Sequence, residues 1–287
     1  MVSTRQIKVL DLKLTVYGLE EYNLLPKQTP VAIMFALHGR LGNMQKMDEI
    51  CNALCTLNTG NYSNKRHLIV VAFDHANHGT RLVNKRANYA WRHKNDENPT
   101  HAFDMWMMVR TSAATISSLI DVLEHYLFEP LNEPRVDIWG VIGFSLGGHT
   151  AFLAAANDPR ITVAIPIVGT ADMIGMMRER LSGLQLPENA YLPQSFCENV
   201  KSKTDHMDKA LKSTKLLIIN GQEDTTVPAS DNFAFVDKLR KSHQGTEGSD
   251  WKFVVVPGVG HQWCKEMVDL SVEWCNQWML RKDHSKL

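Results

Sequence analysis

At 287 residues, with 44% hydrophobic and 22% charged residues, the chain is long enough to bury a sizeable core and has an ordinary globular composition. Lys plus Arg and Asp plus Glu number 31 each, so no overall field favours nucleic acid or an anionic membrane as a partner. No apolar run approaches the roughly 18 residues that span a bilayer, and the first residues lack the apolar stretch of a secretory signal. The five cysteines are odd in number, scattered and without paired C-x-x-C sets, which reads as free thiols in a reducing compartment rather than a disulfide or zinc framework.

Along the chain, Gln6 to Tyr17 alternate with period two (Ile7, Val9, Leu12, Leu14, Val16), as an edge hairpin does. Val31 to Leu37 is a continuous apolar run ending at His38-Gly39, the pattern of a strand buried on both faces. Met47 to Leu57 has helical spacing, and Leu68 to Phe73 is a second buried strand that ends at Asp74. A polar, irregular stretch from Gly79 to Thr100 precedes a helical pattern over His101 to Leu127. So long a loop is usually functional, and two roles are open to its aromatic residues, Trp91 and Trp106 among them with Tyr89 and Phe103: packing beneath the loop, the commoner one for any single residue, or lining a pocket.

Val136 to Ala156 joins an apolar run to an alanine-rich run through Gly143-Phe144-Ser145-Leu146-Gly147. Between a strand and a helix, G-x-S-x-G is a nucleophile elbow: small flanking residues let a strained serine stand clear of the sheet. Ile161 to Val168 and Lys215 to Asn220 are further buried strands. The segment between them, residues 171–214, reads as a helical lid inserted into a core of 1–170 and 215–287. Its Met173 and Met177 suit the lining of an apolar acyl pocket. Ala229 to Lys241 is helical, Trp251 to Val256 is the last strand, and Cys264 to Leu280 is an amphipathic closing helix. Apolar strands alternating with helices predict an α/β fold, a mostly parallel sheet covered on both faces with an antiparallel hairpin at its start. Ligands on such sheets sit at the carboxyl ends of the strands.

A serine hydroxyl needs a base, and the base needs a group to fix its tautomer. Asp224, in Gly221-Gln222-Glu223-Asp224, and His261, in Pro257-Gly258-Val259-Gly260-His261, each follow a predicted strand. Glu223 and Asp172 are alternative positions for the acid. His38 is expected to brace its turn and His149 to pack on the elbow helix. Asp74, His75 and His78 have spacings that suggest a metal, but without a further ligand cluster the stretch reads as a structural turn, and no metal and no cofactor is expected. Arg40 and Arg81 follow neighbouring strand ends, where an anionic substrate group would meet them.

With these motifs, GFSLGG, NGQEDTTVP and PGVGH, the chain resembles an α/β-hydrolase, closest to the single-domain dienelactone-hydrolase and prolyl-oligopeptidase-like branch. The resemblance implies Ser145 as nucleophile, Asp224 as orienting acid, His261 as general base, and the backbone N–H groups of Arg40 and Leu146 as oxyanion donors. It implies cleavage of a carboxylic ester or lactone through an acyl-enzyme. An acyl-CoA thioesterase or acyltransferase is the alternative, and a ligand receptor that retains the fold is the reading from a different class. The last three residues, Ser285, Lys286 and Leu287, match the tripeptide read by the peroxisomal import receptor. That receptor is therefore an expected partner, and the peroxisome matrix, where acyl-CoA is handled, the expected compartment.

Overall fold

A computed structural model describes residues 2–26, 29–59, 65–93, 96–129 and 136–282. The tripeptide Ser285 to Leu287 lies outside the described residues. In chain order the elements are β1 (Thr4–Val9), β2 (Leu12–Tyr17), α1 (Leu19–Asn23), β3 (Val31–Leu37), α2 (Asp48–Cys55), β4 (His67–Phe73), the short hairpin β5 (Arg92–His93) and β6 (Asp96–Glu97), and α3 (His101–Leu127). Then come β7 (Val136–Phe144), α4 (Leu146–Asn157), β8 (Ile161–Ile167), α5 (Met173–Gly183), α6 (Glu188–Tyr191), α7 (Gln194–Thr204), α8 (Met207–Ala210), β9 (Lys215–Gly221), α9 (Phe233–Ser242), β10 (Trp251–Val256) and α10 (Lys265–Cys275). A π-helical turn, Asn276–Leu280, extends α10.

Eight strands form one sheet in the order β1-β2-β4-β3-β7-β8-β9-β10. β1 and β2 are antiparallel, β2 is antiparallel to β4, and every later pairing is parallel. This is the α/β-hydrolase architecture expected from the sequence. The two faces of the sheet are filled differently. Ile33, Phe35 and Leu37 of β3, with Ile69, Val71 and Phe73 of β4, face α3 and α4. Ala32, Met34 and Ala36, with Leu68, Val70 and Ala72, face α2 and α10. All of these are fully buried, and burial of each larger side chain contributes roughly 1.5–3 kcal/mol. A strand with both faces covered has no solvent side to mark with polar residues, hence the unbroken apolar runs in the sequence.

The register places the functional loops together. Leu37 pairs with Gly143, Phe144 and Ile219 both pair with Ile167, and Gly221 pairs with Val256. The carboxyl ends of β3, β7, β9 and β10 therefore finish along one edge. The β9 and β10 loops are tied to each other: Gln222 N–H donates to Val256 O and Glu223 N–H to Val259 O, both at 2.9 Å.

The stretch from Gly79 to Thr100, expected to be irregular, is organised by asparagines. Asn77 Oδ1 accepts from the amides of Val83 and Asn84, and Asn98 Nδ2 donates to Tyr89 O. Between β8 and β9, α5 to α8 hang from the sheet, and Met173, Ile174, Met176, Met177 and Leu181 of α5 lie in the same hydrophobic cluster as α3 and α4. On its other side α5 meets the turn before α9. There burial and the Glu179 carboxylate push Asp231 up to about 7.

Two tests follow from these contacts. A Cβ at Gly147 would overlap the backbone oxygen of Leu37, whereas one at Gly183, in α5, meets nothing within 4 Å. Gly147→Ala is expected to cost about 3 kcal/mol or more and Gly183→Ala to stabilise by up to about 1 kcal/mol, both read from denaturant unfolding. The folded state binds the Asp231 proton more tightly than the unfolded state, so this stabilisation is complete below about pH 4 and is lost as pH rises through about 7. Melting temperatures of Asp231→Asn and the parent protein should agree near pH 4 and diverge towards pH 8 in favour of the variant. A constant difference across that range would contradict the assignment.

Candidate active site

Ser145 sits between β7 and α4 at φ 54°, ψ −110°, a backbone conformation that a residue with a Cβ adopts only under constraint. The constraint is close packing on both sides of it. A Cβ on Gly143 would run into the backbone of Gly147, and Gly147 in turn rests on Leu37. Ser145 N–H donates to Ile167 O at 2.9 Å, and Gly147 N–H donates to His38 O at 3.1 Å. The elbow is thus bonded to both neighbouring strand ends, and the serine hydroxyl is left half-exposed.

His261 reaches it from the loop after β10, with Nε2 at 2.9 Å from Ser145 Oγ. Its Nδ1 lies 2.7 Å from Asp224 Oδ2. A carboxylate can only accept, so Nδ1 carries the proton and Nε2 is free to accept from the serine. Asp224 Oδ1 accepts from the amides of Thr226 (2.8 Å) and Val227 (2.9 Å). Burial pushes the Asp224 carboxyl up, but the bond from His261 and the two amides outweigh it and hold the group below its ordinary range. Phe144 lies 5.4 Å from the His261 ring and stacks on Trp263 at 5.3 Å, walling the imidazole on one side.

The alternatives for the acid are spent elsewhere. Glu223 is exposed, and Asp172 caps α5 by accepting from Gly175 N–H at 2.8 Å.

The turn after β3 is braced by a set of buried imidazoles. His38 Nδ1 lies 2.7 Å from Gly39 O, and its Nε2 accepts from His75 N–H at 3.2 Å, so Nδ1–H is the donor to the carbonyl. His75 Nε2 donates to His38 O at 3.0 Å, and its Nδ1 accepts from Ser112 Oγ at 2.8 Å. Burial lowers His38 to about 4 and His75 well below its ordinary value, so both are neutral near pH 7. His149, lowered by burial to about 3, accepts from Thr170 N–H at 3.0 Å and ties the loop after β8 to α4. His38 thus has the bracing role expected of it, whereas His149, expected to pack on the elbow helix, also bonds the loop after β8, and Ser112 was not anticipated.

Asp74 accepts from the amides of Met44 (2.8 Å) and Thr80 (2.7 Å), which makes it a turn residue, and among the described residues no group of three or more His, Cys, Asp or Glu is arranged to hold a metal ion.

Among the described residues, the amide of Leu146, first in α4, and that of Arg40, after His38-Gly39, donate to no backbone acceptor. An elbow serine with a tautomer-fixed base beside it and two free amides next to it can attack a carbonyl carbon and hold the resulting oxyanion.

The four residues expected to line the pocket are all buried. Trp91, Trp106, Met173 and Met177 are 2%, 4%, 5% and 1% exposed and belong to the main hydrophobic cluster. Trp91 packs edge-on to His101 at 5.0 Å and to Tyr191 at 6.1 Å, so the aromatic residues of the long loop serve as its floor rather than as an open wall. Arg180, on α5, was missed. Its Nη2 donates to Thr226 O at 2.8 Å, on the loop that holds Asp224. The signal was present: Arg180 lies four residues after Met176 and three after Met177, a charge on the buried face of its helix.

The model of the prolyl oligopeptidase family matches residues 101–279. Among solved structures, the chain is similar to the Thermus thermophilus protein TT1662 (TM-score 0.67, 17% identity, 97% of this chain and 98% of that one). It is also similar to a Pyrococcus furiosus esterase (0.57, 18%, 97% and 93%) and to the acylaminoacyl peptidase of Pyrococcus horikoshii (0.61, 15%, 100% and 43%). At such identities the structures establish the shared fold alone. No curated protein matches significantly in sequence. The family match covers well over half of the chain and contains the serine, the aspartate and the histidine: this protein is a serine hydrolase of α/β fold that belongs to the prolyl oligopeptidase family.

Proposed function

We propose that the protein cleaves a carboxylic ester or lactone through an acyl-enzyme, with Ser145 as nucleophile, His261 as general base and Asp224 as the group that fixes the imidazole. The observation that carries this reading is the unbroken chain Ser145 Oγ, His261 Nε2, His261 Nδ1, Asp224 Oδ2, at 2.9 and 2.7 Å.

In the first half-reaction Ser145 Oγ attacks the acyl carbon as its proton passes to His261 Nε2. The oxyanion is held by the amides of Leu146 and Arg40, and His261 returns the proton to the departing alcohol oxygen. In the second, a water gives a proton to His261 Nε2 as it adds to the acyl carbon, and His261 passes that proton to Ser145 Oγ as the acyl–oxygen bond breaks and the acid leaves. Asp224 stays ionised throughout and stabilises the imidazolium.

Support for an ester rather than a peptide comes from length and fill. The chain aligns with 93% of the Pyrococcus furiosus esterase but with 43% of the acylaminoacyl peptidase. Between β8 and β9 the chain is filled by helices α5 to α8, with α5 packed into the main hydrophobic cluster.

Ser145→Ala is expected to abolish labelling by a fluorophosphonate probe and to lower turnover of p-nitrophenyl esters by about four to six orders of magnitude. Asp224→Asn leaves the hydroxyl in place but removes the acceptor that fixes the imidazole tautomer, and should cost about four orders. Retention of labelling in Ser145→Ala would remove the assignment. Faster turnover of short peptide amides or acyl-CoA thioesters than of matched esters would move the substrate class.

A further inference from the structure

The amide of Arg40 belongs to the same planar trans peptide as the carbonyl of Gly39, and the two point opposite ways, so whatever fixes the carbonyl also aims the amide. Gly39 O accepts from His38 Nδ1–H at 2.7 Å and from Gly42 N–H at 3.1 Å. The first of these bonds exists only while the single proton of the neutral His38 ring sits on Nδ1. The opposite tautomer has an attraction of its own, because Asp74 Oδ1 stands 3.8 Å from Nε2. The amide of His75, donating to that nitrogen at 3.2 Å, excludes it.

His75 is itself held at both ring nitrogens. Its Nε2–H donates to His38 O at 3.0 Å, and its Nδ1 accepts from Ser112 Oγ at 2.8 Å. Ser112 lies in the middle of α3 and is fully buried. Its oxygen takes the amide of Ala76 at 3.4 Å, which leaves its own proton for His75. Other hydroxyls of the helix behave differently: Thr115 and Ser118 donate back to the carbonyls of Thr111 and Ala114, at 2.9 and 3.1 Å, the usual use of a helical hydroxyl. Ser112 instead sends its bond out of α3 into the loop after β4. Burial keeps both imidazoles neutral near pH 7, so each has one proton, and the donors run one way from Ser112 through His75 and His38 to Gly39 O.

We propose that Ser112 is a positioning residue for the oxyanion hole. Its hydroxyl fixes the tautomer and orientation of His75, His75 holds His38 at ring and carbonyl, and His38 aims the Arg40 amide at the acyl oxygen. The inference rests on the acyl-enzyme reading, in which that amide is an oxyanion donor. A donor aimed before the substrate arrives lowers the barrier without tightening ground-state binding, so Ser112 acts on kcat rather than on KM.

The test measures kcat and KM for p-nitrophenyl butyrate, per site titrated with a fluorophosphonate, in the parent protein and in Ser112→Ala, Ser112→Thr and Thr115→Ala. Ser112→Ala should lower kcat by about tenfold to a hundredfold, less than the roughly hundred- to thousandfold of removing an oxyanion donor outright, and should leave KM nearly unchanged. Ser112→Thr keeps the hydroxyl and should restore most of kcat even where its extra methyl lowers stability. Thr115→Ala, which removes a hydroxyl that serves its own helix, should change neither constant. A trifluoromethyl ketone reads the oxyanion directly: Ser145 Oγ adds to its carbonyl carbon, the serine proton passes to His261, and the ketone oxygen becomes the oxyanion. Its affinity should fall in Ser112→Ala by the same factor as kcat. Parent-like kcat in Ser112→Ala, or a loss that Ser112→Thr shares in full, would overturn the proposal. Should Ser112→Ala fail to fold, nitrogen-15 spectra of the parent protein decide: His75 protonated on Nε2 and His38 on Nδ1 near pH 7 support the relay, and the opposite tautomer in either ring overturns it. Failure of the parent to label with the fluorophosphonate would instead strike the nucleophile assignment, and the two tautomers would still be read.

Discussion

The approach of α4 to the sheet is the constraint on which the site depends. Gly147 lies so close to Leu37 that only a hydrogen fits between them, and Gly148 faces Ile167 O, with 2.7 Å to the place of a Cβ. The chain can make that approach only by turning sharply at Ser145, which takes a positive φ. The strain at the serine is therefore balanced by hydrogen bonds from its own amide and from Gly147 to the two flanking strand ends. One local geometry thereby sets three things: the exposure of the hydroxyl, the free amide of Leu146, and the distance from the elbow to the His38-Gly39-Arg40 turn. His38 O accepts from both Gly147 N–H and His75 Nε2–H, so the loop that offers the second amide is bonded to the elbow that offers the first.

Around this frame the fold separates neutral from charged groups. His38, His75, His101 and His149 are all buried and all lowered by that burial, so they act as fixed hydrogen-bonding dipoles rather than as proton carriers. His261 differs from them in having a buried carboxylate on Nδ1 and a side chain still 23% exposed. His38, His75 and His149 already spend ring nitrogens on backbone groups or a hydroxyl.

Much of this was legible in the sequence because parallel strands covered on both faces leave unbroken apolar runs, and each functional loop starts where such a run ends. Leu37, Phe144, Gly221 and Val256 end their strands in a common register, so residues at the run ends had to meet. What stayed illegible depends on how side chains turn inside irregular segments. The burial of Trp91 was hidden because an aromatic side chain in a polar loop looks exposed, yet Asn77 and Asn98 bond to that loop's own backbone and Trp91 is buried. Arg180 escaped notice for the opposite reason: a charge in the run RERL looks solvated until the face it shares with Met173 and Met177 is known to be buried.

That buried face also bears on how α5 behaves. Met173, Ile174, Met176, Met177 and Leu181 lie in one cluster with the core helices. Lifting α5 away from the core would expose all five, at roughly 1.5–3 kcal/mol each. The total rivals the whole stability of an ordinary domain, about 5–15 kcal/mol. The segment 171–214 is better described as a wall of the core than as a cover that swings, and Arg180 is held on it by a carbonyl of the same loop that holds Asp224.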